Sequence, residues 1–321
     1  MTDSEFEFTQ SDTFGTTDIG KRRSINQDQF LIAELSKSML VSASSLPDIN
    51  AGRFFGGMQG QVLLVADGMG GHAAGEKASS LALQHLVGRL LNSVHWFFQS
   101  DTDSEADFIN ALQNLLRDAH GRILAESQEH LENAGMGTTL TMAYIHWPTM
   151  YVVHVGDSRC YLIRGGVAKQ VTTDHTLARQ MVEAGGMKPE EEATSRWSNV
   201  LWNVLGGHSE RELLAEVHRV DLQHGDSVVL CSDGLYRYLD EVALAEMVDG
   251  EPDASVLCRQ LVHHANESGG EDNITVVVSH PKASRPRPKP EHPIQSDPAC
   301  SETYLGPLEG LDGLGSDTEP A

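Results

Sequence analysis

Three apolar runs in this chain each lead into an aspartate followed by a very small residue. Val62-Leu63-Leu64-Val65-Ala66 precedes Asp67-Gly68, Val152-Val153-His154-Val155-Gly156 precedes Asp157-Ser158, and Val228-Val229-Leu230-Cys231-Ser232 precedes Asp233-Gly234. A fourth segment runs in the opposite sense, with Glu271-Asp272-Asn273 opening the apolar stretch Ile274 to Val278. Uninterrupted apolar runs of this length read as strands buried on both faces. Such strands need layers packed above and below them, and their terminal aspartates then stand at the rim of a rigid core. Aspartate also follows strands simply because it favours turns, which suffices for any one Asp-Gly. Four such placements in one chain point instead to a shared site for hard cations.

The chain has 321 residues and a net charge of -23. That length allows one large domain or two modest ones. The charge disfavours nucleic acid and anionic membranes as partners, because both need a basic surface. Most of the excess is ordinary surface Asp and Glu. Cys160, Cys231, Cys258 and Cys300 show no CxxC spacing, so neither zinc nor a disulfide framework is indicated. No apolar run approaches the length of a membrane span and the N-terminus lacks an apolar signal region, so a cytoplasmic location is expected, and a monomer is the expectation for a fold of this kind.

Residues 1–13 read as a polar, acidic, disordered arm and 281–321 as a disordered Pro/Gly-rich tail, since the latter holds eight of the twelve prolines. Between them, 14–280 reads as one domain. Strands are expected at Gln29 to Leu35, Gln61 to Ala66, Thr138 to Ile145, Tyr151 to Val155, Arg159 to Arg164 and Val167 to Thr172, with Gly165-Gly166 as a hairpin turn. Ser36 to Gly60 reads as an irregular surface excursion. Glu76 to Phe98 carries Leu83, Leu86, Leu90 and Val94 at helical spacing, and after an acidic break at Asp101 to Asp107 a second helix presents Phe108, Leu112, Leu115, Ala119 and Ile123. Short helices at Thr176 to Ala184 and Pro189 to Thr194, strands at Leu213 to Val220 and Ser227 to Cys231, helices at Glu241 to Val248 and Ala254 to Asn266, and the strand Ile274 to Ser279 complete the order. Bunched strands with paired helices suggest a layered α+β domain.

If Asp28, Asp67, Asp233 and Asp272 converge, each like-charged pair ~5 Å apart costs roughly 3 kcal/mol at an effective dielectric of ~20. Two divalent cations would balance the four charges, and an all-oxygen ligand set selects Mn2+ or Mg2+ over zinc. Two such ions ~3.5–4 Å apart share a bridging water and lower its pKa, giving a hydroxide nucleophile suited to phosphate ester hydrolysis. The cation that grips the phosphate should be an arginine, whose planar fork makes two parallel hydrogen bonds. Arg22 and Arg23, in the run Asp18 to Asp28, both lie close enough in sequence, and spacing alone does not choose between them.

The run from Thr17 to Asp28, with the pattern D-x-G-x-x-R-x-x-N-x-D, resembles the first motif of the PP2C-type (PPM) metal-dependent protein phosphatases. Asp67-Gly68-Met69-Gly70-Gly71-His72-Ala73-Ala74-Gly75-Glu76 resembles the second motif in its bacterial form. Gly137-Thr138-Thr139, Gly156-Asp157-Ser158-Arg159, Thr173-Asp174-His175, Ser232-Asp233-Gly234-Leu235 and Gly270-Glu271-Asp272-Asn273 match further motifs in order. The resemblance implies a four-layer α/β/β/α sandwich with two central antiparallel sheets flanked by helix pairs. It implies hydrolysis of phosphoserine and phosphothreonine in proteins phosphorylated by a Ser/Thr kinase. By position it assigns phosphate binding to Arg23, a bridging role between metals to Asp67, a carbonyl ligand to Gly68, one ion to Asp233 and Asp272, and support of the other to Asp28. Asp157 matches a residue that holds a third, weaker ion.

His72 has two readings: a proton donor to the leaving oxygen, or a cap for the helix that begins near Glu76. The segment His175 to Gly207 corresponds to a mobile flap beside the site and here carries Trp197 and Trp202, which pack it down or contact substrate. A non-catalytic regulatory binding module on the same fold is the competing functional class, and its mark would be degenerate metal ligands. An aspartyl-phosphate enzyme would need a doubly wound parallel sheet, which the hairpin pattern disfavours.

Overall fold

The computed structural model describes residues 11–43, 52–71, 74–93, 102–207 and 212–281. Of these, 38–43 and 52–55 separate from the main unit, which holds everything else described. The strands are β1 (Asp12–Asp18), β2 (Asp28–Val41), β3 (Gly52–Met69), β4 (Gly137–Thr138), β5 (Leu140–His146), β6 (Thr149–Val155), β7 (Arg159–Arg164), β8 (Val167–Gln170), β9 (Leu205–Gly206), β10 (Glu216–Asp221), β11 (Ser227–Cys231) and β12 (Ile274–His280). The α-helices are α1 (Ala74–Ser93), α2 (Thr102–Glu129), α3 (Leu177–Glu183), α4 (Pro189–Glu192), α5 (Asp233–Tyr236), α6 (Glu241–Gly250) and α7 (Ala254–Ser268).

One sheet has the order β1-β12-β11-β7-β8 and the other β10-β6-β5-β3-β4-β9, with β2 also paired to β3. The described registers are antiparallel throughout. Side chains alternate across a strand, and here both faces are apolar. In β3, Val62, Leu64 and Ala66 face a core shared with α1 and α2, while Leu63 and Val65 face the other sheet. In β11, Val229 and Cys231 face α6 and α7, while Val228 and Leu230 meet Leu63 and Val65 in the middle core. Three cores separate four layers, as the sandwich expectation requires. At about 25 cal/mol per Å² of apolar surface buried, this middle core makes the sheets a stiff platform for whatever projects from their ends.

Several elements differ from their sequence-based bounds. Strand β1, taken partly for a loose arm, is paired along its length with β12. Most of the described part of 36–60 is strand rather than excursion, because a paired backbone ladder holds glycine-rich sequence that lacks apolar alternation. The acidic stretch after Asp101 belongs to α2, where carboxylates in a first turn are favoured by the helix dipole. Gly165 and Gly166 both take positive φ, 57° and 76°, as the expected hairpin demands. Thr176 caps α3 by accepting from Arg179 N.

Candidate active site

Asp28, Asp67, Asp157, Asp233 and Asp272 arrive from five separate segments at one end of the two sheets. Asp67, Asp157, Asp233 and Asp272 line a cleft of about 340 Å³ together with Arg23, Gln27, Gly68, Met69, Gly70, Thr139, Asn199, Leu201 and Arg237. Asp28 lies just beneath, 2% exposed, with its Oδ2 accepting from Ser232 Oγ at 2.7 Å.

The strand-then-aspartate pattern has two different local structures. Asp67 lies within β3, which continues to Met69 because Gly68 and Met69 pair with β4. Its backbone is fixed by Thr139, whose Oγ1 accepts from Asp67 N at 3.0 Å and whose N donates to Asp67 O at 2.9 Å. Asp233 instead opens the short helix α5, one residue after Ser232. The glycine that follows each aspartate is required by close backbone approach. A Cβ on Gly68 would fall 2.2 Å from Gly75 O, and one on Gly234 would fall 2.0 Å from Asn273 O.

The arginine loop is held by the segment before β12. Gly270 O accepts from Lys21 N at 2.7 Å and Arg22 N at 3.2 Å. Asn273 donates through Nδ2 to Ile19 O (2.9 Å) and Ile25 O (3.0 Å) and accepts from Gln27 N through Oδ1 (2.9 Å). This clamp places Arg23 in the cleft, where its Nη2 donates to Asp272 Oδ2 at 2.7 Å, whereas Arg22 is not among the lining residues. Neither the clamp nor Arg237 was expected from sequence. Arg237 Nη2 pairs with Asp233 Oδ2, and its Nη1 lies 3.9 Å from Asp272 Oδ2. The i, i+4 spacing of Asp233 and Arg237 was a visible signal, but only once α5 is helical.

The electrostatics match a cation site. Burial pushes Asp28 up to about 7, with Ser232 opposing and Asp233 and Asp272 adding to the shift. Burial, with the neighbouring charge of Asp233, takes Asp157 up to about 8. Asp67 is held well above the usual carboxylate range by burial and then by Asp28, Asp233 and Asp157, and burial also raises Asp233. Asp28 Oδ1 and Asp233 Oδ1 are buried with no hydrogen-bond partner. Unpartnered carboxylate oxygens in a crowded anionic cluster are what divalent cations satisfy, and the donors are all oxygen, so the residues present fit Mn2+ or Mg2+.

The other motif residues support this cluster. Arg159 forks onto Asp174, with Nε 3.0 Å from Oδ1 and Nη2 2.6 Å from Oδ2, and stacks over the Tyr236 ring at 3.6 Å. Tyr236 in turn donates to Asp157 Oδ2 at 3.4 Å. His175 is buried at the flap's base. Its Nδ1 accepts from Gly156 N (3.0 Å) and Asn203 Nδ2 (2.9 Å), and its ring packs against Trp202 with centroids 5.2 Å apart. Trp202 thus anchors the flap, while Asn199 and Leu201 reach the cleft. His72 lies outside the described residues.

Residues 48–277 match the family model described as "Protein phosphatase 2C". The serine/threonine phosphatase stp of Listeria monocytogenes is 32% identical over 217 residues, covering 68% of this chain and 83% of that protein. The crystal structure of the Mycobacterium tuberculosis serine/threonine phosphatase PstP/Ppp superimposes with a TM-score of 0.66 at 29% identity, covering 83% of this chain and 97% of that one. A further structure, the PstP catalytic domain in complex with 2 manganese ions, gives a TM-score of 0.63 at 29% identity, covering 83% of this chain and 96% of that one. With Asp67, Asp157, Asp233 and Asp272 lining one cleft and Asp28 beneath it, on the layered sheets these proteins share, the chain belongs to the protein phosphatase 2C family.

Proposed function

We propose that Asp28, Asp67, the Gly68 carbonyl, Asp233 and Asp272 hold two divalent ions, and that Arg23 receives the phosphate of the substrate. The reaction is the family's metal-dependent hydrolysis of phosphoserine and phosphothreonine in proteins. The observation that carries the assignment is the pair of orphaned, buried oxygens, Asp28 Oδ1 and Asp233 Oδ1, within a set of like-charged carboxylates beside a single arginine loop. When bound, divalent ions supply activated water and neutralise the phosphoryl oxygens.

The chain's own residues do the rest. Arg23 is presented by a loop that the Asn273 clamp and Gly270 fix from below, so its fork is oriented before substrate arrives. Its present partner is Asp272, which it can exchange for two phosphate oxygens. Asp67 feels the charges of Asp28, Asp233 and Asp157, so it is the carboxylate that would serve both ions. Asn199 and Leu201 bring the flap to the cleft wall, where the polypeptide around the phosphorylated side chain must pass. No helix among the described residues is long and apolar enough to cross a membrane. We take the substrate to be a phosphorylated protein product of a Ser/Thr kinase, met by a monomer.

The test is hydrolysis of a phosphothreonine peptide by chelated and Mn2+-reconstituted protein, with Asp67→Asn and Asp233→Asn alongside. Activity only with added metal, and its loss in both variants, is expected. Turnover that survives chelation would refute the metal assignment. Peptide binding without turnover under any metal would favour the non-catalytic binding module.

A further inference from the structure

The stretch of cleft wall formed by Asn199 and Leu201 is held by residues that do not themselves line the cleft. The two ends of the flap are stapled by backbone. Leu177 N donates to Val200 O at 2.8 Å, Trp202 N donates to His175 O at 3.1 Å, and Thr176 bridges Leu201. Those bonds close the loop on itself. Two buried side chains, Asn203 and His175, attach it to the sheets.

Asn203 is 4% exposed. Its Nδ2 donates to Leu214 O (2.8 Å) and to His175 Nδ1 (2.9 Å), and its Oδ1 accepts from Leu214 N (3.2 Å). The amide thus pairs with both backbone groups of Leu214, as a neighbouring strand would. Leu214 is a firm partner. Leu213 and Ala215 on either side of it are buried in the core shared with α1 and α2, and Ala215 O accepts from Gln113 Nε2 of α2 at 3.1 Å. His175 makes the second attachment. Its backbone N donates to Gly156 O at 2.7 Å, and its Nδ1 accepts from Gly156 N at 3.0 Å. An Nδ1 shared by two donors carries no proton, so the ring hydrogen sits on Nε2, 3.2 Å from Glu216 Oε1 of β10. One imidazole therefore joins the outgoing arm of the flap, the turn before Asp157, the returning arm at Asn203, and Glu216. A wall fixed in this way is set before substrate arrives, and binding then spends less on ordering it.

We propose that Asn203, backed by His175 and Glu216, is a positioning residue for substrate recognition. It holds Asn199 and Leu201 where the polypeptide around the phosphorylated side chain meets them, so the latch serves phosphoproteins and not small phosphate esters. The inference rests on the phosphoprotein-hydrolase reading of this cleft and names what the flap's root contributes to it.

The experiment compares two substrates of the full-length, Mn2+-loaded protein: an extended phosphothreonine peptide, and p-nitrophenyl phosphate, which has no polypeptide to meet the flap. Asn203→Ala is expected to raise KM for the peptide roughly tenfold, the scale of one or two lost hydrogen bonds, with kcat/KM for p-nitrophenyl phosphate within about twofold of wild type. Asn203→Asp keeps the shape but turns the donor to Leu214 O and His175 Nδ1 into an acceptor, and it is expected to show the same split. Glu216→Ala leaves Asn203 in place and removes the group facing His175 Nε2. It is expected to show the split more weakly, and it carries the test if circular dichroism finds the Asn203 variants unfolded. Equal loss on both substrates in a folded variant overturns the proposal, because the residue then supports the reacting centre as a whole. An unchanged KM for the peptide in a folded variant overturns it too. Wild type that hydrolyses neither substrate with any metal overturns the hydrolase reading first, and the proposal with it.

Discussion

Replacing Asn273 by alanine should damage the protein through the arginine loop rather than through the metal ligands. The Asn273 side chain is 4% exposed and makes three hydrogen bonds to the loop, two donated to Ile19 O and Ile25 O and one accepted from Gln27 N. Each is worth about 1 kcal/mol net, and leaving a buried partner unsatisfied costs roughly 1–3 kcal/mol. Residues 19 and 25–27 are not fully buried, so water can replace part of the loss and the lower end applies. About 3 kcal/mol follows, which for a domain of this size lowers the melting temperature by about 6–12 °C. Asn273→Asp is the sharper variant. It keeps the shape but turns the Nδ2 donor into an oxygen facing two carbonyls, so it should be at least as destabilising as alanine. Both variants should also raise KM for a phosphopeptide, because Arg23 loses its seat. Thermal denaturation by circular dichroism, with metal chelated and with Mn2+ added, gives the stability; steady-state kinetics give KM. If Asn273→Asp melts within about 2 °C of wild type, the residue fills space rather than clamping a loop, and the reasoning fails.

Other consequences are independent of that clamp. Arg23→Ala should lower kcat/KM by roughly 10- to 100-fold, the worth of a charge-assisted pair, and Arg23→Lys should recover only part, because an ammonium lacks the planar fork; equal activity of the alanine variant would remove Arg23 from the site. In chelated protein, Asp28 and Asp157 titrate in the folded state near 7 and 8, above the unfolded carboxylate range. The folded state therefore holds more protons than the unfolded state over that interval, and stability must fall as pH rises. Between pH 6.5 and 8 the loss should be about 2 kcal/mol; buried His154, lowered to about 4, opposes the trend only below its unfolded range. Saturating Mn2+ should abolish the slope, and a chelated protein whose denaturation midpoint is flat over this range would contradict the crowding of the carboxylates. Trp202→Ala should speed hydrogen exchange in residues 176–201 while β5, β6 and β11 stay protected, because Trp202 packs on His175 at the flap's base; unchanged exchange would mean that the flap is anchored elsewhere.

The layered fold was legible because its strands are apolar on both faces. A strand such as Val228 to Cys231 has no polar face to leave in water, so it demands a sheet on one side and helices on the other, which is what its alternate contacts show. The paired carboxylates were legible for the same reason: charge that follows such an apolar run has to sit at or near the strand's end. What sequence could not supply was how each end is built. β1 carries Thr13, Gly15, Thr16 and Thr17, too polar for a core strand by pattern, and it becomes a strand because the edge of β12 offers it a ladder. The strand content of 36–60 arose in the same way, from pairing rather than from side-chain periodicity.

The functional residues that escaped the pattern are those whose role exists only across long sequence separations. Asn273 serves a loop some 250 positions earlier, and nothing in Glu271-Asp272-Asn273 distinguishes a clamp from a turn residue. Asp67 and Asp233 look alike as Asp-Gly after an apolar run, yet one is fixed inside a strand by Thr139 and the other at the start of a helix. The difference has a chemical consequence. A carboxylate inside a strand has no helical neighbour four residues on, so among the described residues Asp67 forms no ion pair and its charge is left for added cations. A carboxylate at the start of a helix does have such a neighbour, and in this chain that neighbour is Arg237. The local structure around each aspartate therefore decides how much of its charge the protein itself balances, and how much is left for metal.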